Sequence, residues 1–135
     1  MTSKEFLNRS YVLHKQINKN KTIIENLRNA ASSTSAPNGD ERVQTSAPTG
    51  SRMSTFVEMI VDLERTVEQQ ETDLKVVRKE ITTAINTVED LRQRLVLQLR
   101  YLDYYSWSAI ASVLCCSESL VYKIHSDGLN NCSSL

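Results

Sequence analysis

Cysteine, histidine and serine are the residues of this chain whose side chains most often carry chemistry. The sequence has three cysteines and two histidines. Cys115 and Cys116 are adjacent, so they cannot easily both face one tetrahedral metal ion, and no Cys-x-x-Cys pair accompanies them. We therefore predict no metal site, and small buried apolar roles for the cysteines. Their odd number argues against a disulfide framework and favours a reducing, intracellular setting.

Serine and histidine together raise the question of nucleophilic catalysis. His14 lies in a segment with coiled-coil spacing and His125 in a candidate recognition helix, so neither has the scaffold of a catalytic triad. The three glycines, Gly39, Gly50 and Gly128, are too scattered to form a phosphate-cradling loop. The sequence accordingly predicts no enzyme and no cofactor.

The C-terminal segment has the caps and the apolar spacing of a helix-turn-helix. Ser106 can cap a helix over Trp107–Leu114, and Ser117 can cap a second helix that runs through His125. The motif needs apolar residues where the two helices cross and a small residue where their backbones approach. Cys115 stands in the turn, where glycine is usual. The crossing positions and the small position carry Ile110, Leu114, Cys116, Val121, Ile124 and Ala111.

Three short stretches of this segment resemble a pattern found in phage-encoded transcriptional regulators. They are Arg100-Tyr101-Leu102, Ser106-Trp107-Ser108-Ala109-Ile110-Ala111 and Val121-Tyr122-Lys123-Ile124-His125. The regulators in question are similar to sigma factor region 4 and include the RinA and ArpU types of late transcriptional activator. The stretch Gly39-Asp40-Glu41-Arg42-Val43-Gln44 also resembles a loop in small phage proteins of this architecture, so the resemblance covers most of the chain.

The resemblance implies that the second helix of the motif enters the major groove of double-stranded DNA. Lys123 would contact a phosphate, Tyr122 a phosphate or a thymine methyl group, and Glu118 a cytosine amino group. The relatives usually carry an arginine near position 119 and basic residues after the histidine, and this chain departs from both features. The outward positions that we expect to contact DNA are Ser117, Glu118, Ser119, Tyr122, Lys123 and Ser126.

Aromatic residues of the motif also have plainer interpretations. Trp107 is expected to seal the core of a three-helix unit, and His125 to pack at the end of a helix. Tyr101, Tyr104 and Tyr105 are explained equally well by stacking on bases and by packing between short helices.

The element that must position this motif is a long amphipathic helix. Over residues 54–90, apolar residues recur at alternating spacings of four and three, the pattern of a heptad stripe. Its 37 residues would span roughly 55 Å at 1.5 Å per residue, too long for the stripe to be buried without a partner. The stripe consists of Phe56, Ile60, Leu63, Val67, Gln70, Leu74, Val77, Ile81, Ala84, Val88, Leu91 and Leu95.

A second amphipathic segment, residues 4–31, offers that partner. Residues 1–31 hold six basic and two acidic residues, a net +4, whereas residues 54–90 hold four basic and nine acidic, a net −5. Opposite charges favour an antiparallel hairpin within one chain over a purely intermolecular coiled coil. The two arrangements are compatible, because the shorter helix leaves part of the long stripe bare for a dimer. The N-terminal stripe consists of Phe6, Ser10, Leu13, Ile17, Asn20, Ile24, Leu27 and Ala31.

The links between these elements are less sharply marked. Residues 32–53 hold both prolines and many Ser, Thr, Asn and Asp residues, so we predict a loop. Residues 88–105 are expected to form the packing helix of a three-helix unit. Asn86 and Thr87 can cap a new helix there, yet the heptad stripe runs on to Leu95, so the sequence leaves open whether the long helix breaks.

The sequence thus predicts an all-α fold: a long antiparallel helical hairpin over 1–90, with its loop at 32–53, followed by a small helix-turn-helix domain over 91–135. No apolar run is long enough to span a membrane, and no signal peptide is apparent. We expect a phage or prophage regulator in the bacterial cytoplasm. Because residues 91–135 have a net charge of only +1, DNA binding should need a homodimer or host RNA polymerase. The alternative is a coiled-coil interaction module that binds a host or phage protein without specific DNA binding.

Overall fold

A computed structural model describes residues 1–34 and 49–132, and these residues form five helices and no strand. The helices are α1 (Ser3–Thr34), α2 (Thr49–Ile85), α3 (Leu91–Tyr101), α4 (Trp107–Leu114) and α5 (Glu118–Asn131). The predicted all-α fold is confirmed. None of these helices is long and apolar enough to cross a membrane.

The predicted loop over 32–53 is too long at both ends. Helix α1 continues to Thr34 and α2 begins at Thr49. Residues 32–34 and 49–53 therefore belong to helices rather than to the predicted loop. The centre of the predicted loop, including the stretch 39–44 that resembles a phage-protein loop, lies outside the described residues.

The chain divides into two compact units. We call residues 15–72 the two-helix unit, and residues 1–14 with 73–135 the five-helix unit, since it contains part of every helix. These divisions differ from the domain boundary that we predict between residues 90 and 91. That boundary, which concerns segments able to fold alone, stays a prediction.

In the two-helix unit, α1 and α2 run antiparallel with their apolar stripes facing each other. Ile17, Ile24 and Val67 are buried at the seam. The amide nitrogen of Asn20 donates to the side-chain oxygen of Gln70 at 3.1 Å, so the polar members of the two stripes pair. The predicted match of a basic helix with an acidic one is confirmed within this unit by the salt bridges Lys21–Glu71 and Arg28–Glu64.

The long helix α2 ends at Ile85, which settles the question that the heptad stripe left open. The backbone N–H groups of Asn86, Thr87 and Val88 close the last turn onto Thr82, Ala84 and Ile85 carbonyls. The following helix starts at Leu91 rather than at the predicted residue 88, because Asp90 caps it by accepting from the Gln93 N–H at 3.0 Å. It ends at Tyr101, four residues before the predicted end.

Helix α3 lies between two apolar clusters of the five-helix unit. Leu97 and Tyr101 join the first cluster, and Val96 and Leu99 join the second. The two faces of one short helix therefore tie the ends of α1 and α2 to the helix-turn-helix. The first cluster also contains Phe6, Leu7, Ile81, Ala84, Ile85, Val88 and Cys132, and the second contains Ile110, Ala111, Val121 and Ile124.

The helix-turn-helix forms with the predicted caps. The hydroxyl of Ser106 accepts from the Ala109 N–H at 3.1 Å, and that of Ser117 accepts from the Leu120 N–H at 3.2 Å. Cys115 adopts the left-handed conformation, with φ 54°, at the position where glycine was expected. The predicted apolar frame packs in the second cluster, with Leu114 and Cys116 half-buried against it.

Helix α5 is longer than predicted: it continues past His125 to Asn131. Gly128 lies against α3, where an added Cβ would meet the Leu97 side chain at 3.3 Å. The Asn131 side chain donates to Gln93 at 2.9 Å. Packing of the last turns of α5 on α3 thus extends a helix whose local sequence, with Asp127 and Gly128, favours an early end.

Candidate nucleic-acid interface

The buried side of α5 fixes which of its residues face outward. Val121, Ile124, His125 and Gly128 are buried, as the spacing of an amphipathic helix requires. The opposite face carries polar side chains that are all exposed. All six residues predicted to contact DNA lie exposed on α5 or at its N-terminal cap: Ser117, Glu118, Ser119, Tyr122, Lys123 and Ser126.

These six residues do not all have the same freedom to bind. Ser117 is occupied as the cap of α5. The Tyr122 hydroxyl donates to the Glu118 carboxylate at 3.4 Å, one helical turn away. Ser119, Lys123 and Ser126 follow one another along the exposed face at spacings of four and three residues, which places them on a single stripe of α5.

Trp107 connects this face with the rest of the motif. It is half-buried and packs against the second apolar cluster, in line with its predicted sealing role. Its ring meets the ring of Tyr122 edge-on at 5.2 Å and that of His125 at 4.7 Å. The single tryptophan of the chain therefore contacts α5 through one exposed and one buried ring.

Arg100 lies over the Trp107 ring. Its guanidinium carbon is 4.2 Å from the centroid of the Trp107 ring, and its Nη1 donates to the Tyr105 carbonyl at 3.0 Å. Sequence reasoning assigned Arg100 no role beyond the resemblance. No regular spacing could have found the contact, because the chain between Arg100 and Trp107 leaves one helix and enters another.

His125 packs inside the motif and forms a buried pair with Tyr101, but it lies in the middle of α5 rather than at the predicted helix end. The Tyr101 hydroxyl and His125 Nε2 share a hydrogen bond of 2.6 Å. Burial, together with the positive charges of Lys4 and Arg100, lowers the pKa of His125 from 6.5 to about 4. Burial raises the pKa of Tyr101 to about 12. Both side chains are therefore neutral near pH 7, and His125 adds no positive charge to the interface.

The link between α3 and α4 is held by side chains from α1 and α2. Tyr104 adopts the left-handed conformation, with φ 61°, and its ring stacks on His14 at 4.4 Å. Arg78 Nη1 donates to the Leu102 carbonyl at 2.6 Å and to the Tyr104 hydroxyl at 3.1 Å. The buried Ser10 hydroxyl donates to the Tyr101 carbonyl at 2.6 Å. For Tyr104 these contacts favour packing over base stacking.

The cysteines occupy three different environments. Cys132 is buried, its thiol donates to the Ala84 carbonyl at 3.5 Å, and burial raises its pKa. Cys116 is half-buried, but Cys115 is exposed, so the predicted buried role is wrong for Cys115. The left-handed cap turns this side chain away from the core. Within the described part of the chain, no three His, Cys, Asp or Glu residues come together in a way that could hold a metal ion.

A family model described as "Protein of unknown function (DUF1492)" matches residues 32–131, most of the chain. The matched range includes α2 and the whole of the helix-turn-helix. No curated protein and no solved structure gives a significant match.

Proposed function

The chain belongs to the DUF1492 family, and we propose that it is a DNA-binding transcriptional regulator of a phage or prophage. The observation that supports this most is the exposed polar face of α5, the second of two capped helices that cross in the helix-turn-helix. The resemblance to sigma factor region 4 supports the same reading. On this proposal the protein acts in the bacterial cytoplasm and is not an enzyme.

The proposed mode of binding places α5 in the major groove, where an α-helix fits and where base edges are distinguishable. Glu118 would accept from a cytosine amino group near the start of the helix. Ser119, Tyr122 and Ser126 would meet bases or sugars, and Lys123 would pair with a phosphate. These contacts suit their exposure and their common face.

The charge of α5 implies that one copy binds weakly by itself. Lys123 is its one basic residue, against Glu118 and Asp127. Phosphate neutralisation supplies much of the affinity of DNA-binding proteins, so we propose that a homodimer or RNA polymerase provides the rest. Exposed Val57 and Val61 lie one turn apart on the same face of α2, and a second copy could cover them.

The decisive experiment is selection of duplexes from a randomised pool, followed by fluorescence anisotropy at low salt with the enriched duplex and a scrambled one. We expect the enriched duplex to bind at least tenfold more tightly. Equal binding of both duplexes, with and without RNA polymerase, would refute a sequence-specific regulator.

The contact of Lys123 gives a narrower test. Lys123→Ala should weaken binding to every duplex and reduce the slope of log K against log salt by about one. Lys75→Ala, which removes an exposed lysine of α2, is the matched control and should leave the slope unchanged. If the two variants bind alike, α5 is not the DNA-facing helix.

A second candidate function, a protein-interaction module, rests on the acidic surface and exposed apolar residues of α2. On this view the helix-turn-helix is retained only as a fold. Nuclease-treated lysate of the host would yield a stoichiometric partner of the wild-type protein, and Val57→Glu would abolish the capture. A partner lost on nuclease treatment would instead favour DNA binding.

A further inference from the structure

The exposed face of α5 carries little of the positive charge that favours binding in a groove. The helix has a net charge of −1, from one lysine against two acidic residues. Double-stranded DNA carries a negative charge about every 1.7 Å along its axis, so a groove-binding element is normally flanked by cations. If α5 enters the groove, a cation from another helix must lie beside it.

Two arginines of the five-helix unit outside α3 already have partners. Arg9 pairs with Glu80 at 2.7 Å, and Arg78 donates to the Leu102 carbonyl and Tyr104 hydroxyl. Arg92 precedes Gln93, whose side chain contacts Asn131 at the C-terminal end of α5, and it lies about 12 Å from Arg100 along the axis of α3 at 1.5 Å per residue. Arg100 is the arginine that an unbroken series of contacts joins to α5.

The contacts of Arg100 hold its guanidinium in place without neutralising it. The Trp107 ring and the Tyr105 carbonyl fix it from two sides, and neither carries a full negative charge. The guanidinium has five N–H donors, so the hydrogen bond to Tyr105 leaves others able to bind an oxyanion. Trp107 in turn touches Tyr122 on the exposed face of α5.

We propose that Arg100, stacked on Trp107, binds a phosphate of the DNA backbone at the edge of the groove that α5 enters. This inference rests on the proposed function and adds a contact that α5 does not supply. The contacts run from Arg100 through Trp107 to Tyr122, the residue before Lys123 on α5. A prepositioned guanidinium loses less side-chain freedom on binding than a free one, and it matches phosphate geometry in a bidentate manner.

The test uses the full chain and compares Arg100→Gln with Arg92→Gln. Glutamine keeps a donor for the Tyr105 carbonyl while removing the charge, and both substitutions change the net charge equally. We expect Arg100→Gln to weaken binding about tenfold to enriched and scrambled duplexes alike, and to lower the salt slope by about one. Arg92→Gln should change affinity less than twofold. Melting followed by circular dichroism confirms that each variant is folded.

Neutralising single phosphates of the DNA distinguishes a direct contact of Arg100 with a phosphate from an indirect role in positioning α5. Replacing the contacted phosphate with a methylphosphonate should weaken the wild-type protein but leave Arg100→Gln unaffected. The proposal would be overturned if, at every phosphate position, the loss of affinity from neutralising the phosphate simply added to the loss from Arg100→Gln. Equal binding of the two glutamine variants would also overturn it. Failure of the wild-type protein to bind any duplex would instead refute the proposed function. If Arg100→Gln does not fold, the methylphosphonate series is repeated with Arg100→Lys. A lysine keeps the charge, so neutralising the contacted phosphate should still weaken binding of this variant, but less than it weakens the wild-type protein.

Discussion

The two-helix unit and the five-helix unit bury their apolar side chains to different degrees. At the seam of α1 and α2 in the two-helix unit, Ile17, Ile24 and Val67 each keep a small exposed fraction. In the five-helix unit, Leu7, Ile81 and Leu97 are fully enclosed. Where only two helices pack together, the sides of their seam stay open to water. Where more helices pack together, as in the five-helix unit, side chains are enclosed from all sides. We infer that packing in the five-helix unit contributes more free energy per residue.

The same contrast applies to the polar groups. The two-helix unit pairs Asn20 with Gln70 at its seam, which fixes the register of the helices at some expense of stability. The five-helix unit uses its buried polar groups differently: the Ser10 hydroxyl and the Tyr101–His125 pair hold α3 and its following loop. Polar groups specify register in one unit and position the helix-turn-helix in the other.

The largest expected effect compares one substitution in both units. Ile81→Ala, at a fully buried position, should lower the free energy of unfolding by about 4 kcal/mol, and Ile24→Ala, 6% exposed, by about 2 kcal/mol. The cause of the difference is the cavity, which the open seam can fill by small shifts. Urea unfolding followed by circular dichroism and by Trp107 emission measures both. Equal losses would show that the seam is as closely packed as the core.

The next effect concerns pH and belongs to the five-helix unit, which contains both histidines. The folded pKa of His125, about 4, lies below the 6.5 of the unfolded chain, so between these values the unfolded state binds the extra proton. The stability that neutral His125 confers is therefore complete above pH 6.5 and is lost as the pH falls toward 4, by about 2–3 kcal/mol.

Thermal melts from pH 4 to 7.5, followed by Trp107 emission, measure this loss. His125→Gln is the control, because carboxylates that titrate in the same range act equally in both proteins. The difference in slope between wild type and variant isolates the histidine. Parallel curves would mean that His125 has the same pKa in the folded and the unfolded chain.

The smallest effect compares two arginines that form ion pairs across α1 and α2. Arg28 in the two-helix unit is exposed and pairs with Glu64, so Arg28→Ala should cost at most about 0.5 kcal/mol. Arg9 in the five-helix unit pairs with Glu80, lies 4.4 Å from the centre of the Phe6 ring and donates to the Phe6 carbonyl. Arg9→Ala should cost about 1 kcal/mol.

Salt distinguishes the two contributions. At 1 M NaCl the effect of Arg28→Ala on the urea midpoint should vanish, because exposed charges are screened. Most of the effect of Arg9→Ala should remain, since its packing on Phe6 does not depend on ionic strength. If the effect of Arg9→Ala on the urea midpoint also vanished at 1 M NaCl, Arg9 would stabilise the fold only through its surface ion pair.

The elements with regular spacing were predictable, and those that depend on contacts between distant segments were not. The stripes of α1 and α2 and the caps Ser106 and Ser117 follow from local rules of helix geometry and capping. The break after Ile85 was ambiguous, because the candidate caps Asn86 and Thr87 competed with a stripe that continues to Leu95; the cap that forms is Asp90. The structure shows a separate helix α3, whose two faces are buried in different apolar clusters.

For the candidate interface, the sequence alone determined which residues face outward on α5, because a period of 3.6 residues separates buried from exposed positions. It also determined the weak charge of that helix. Only the tertiary structure placed Arg100 over Trp107 and His125 beside Tyr101. Those contacts join residues on different helices, so no spacing along the chain encodes them. Helix periodicity is a local property, whereas side-chain neighbours across a core arise only when the whole chain has folded.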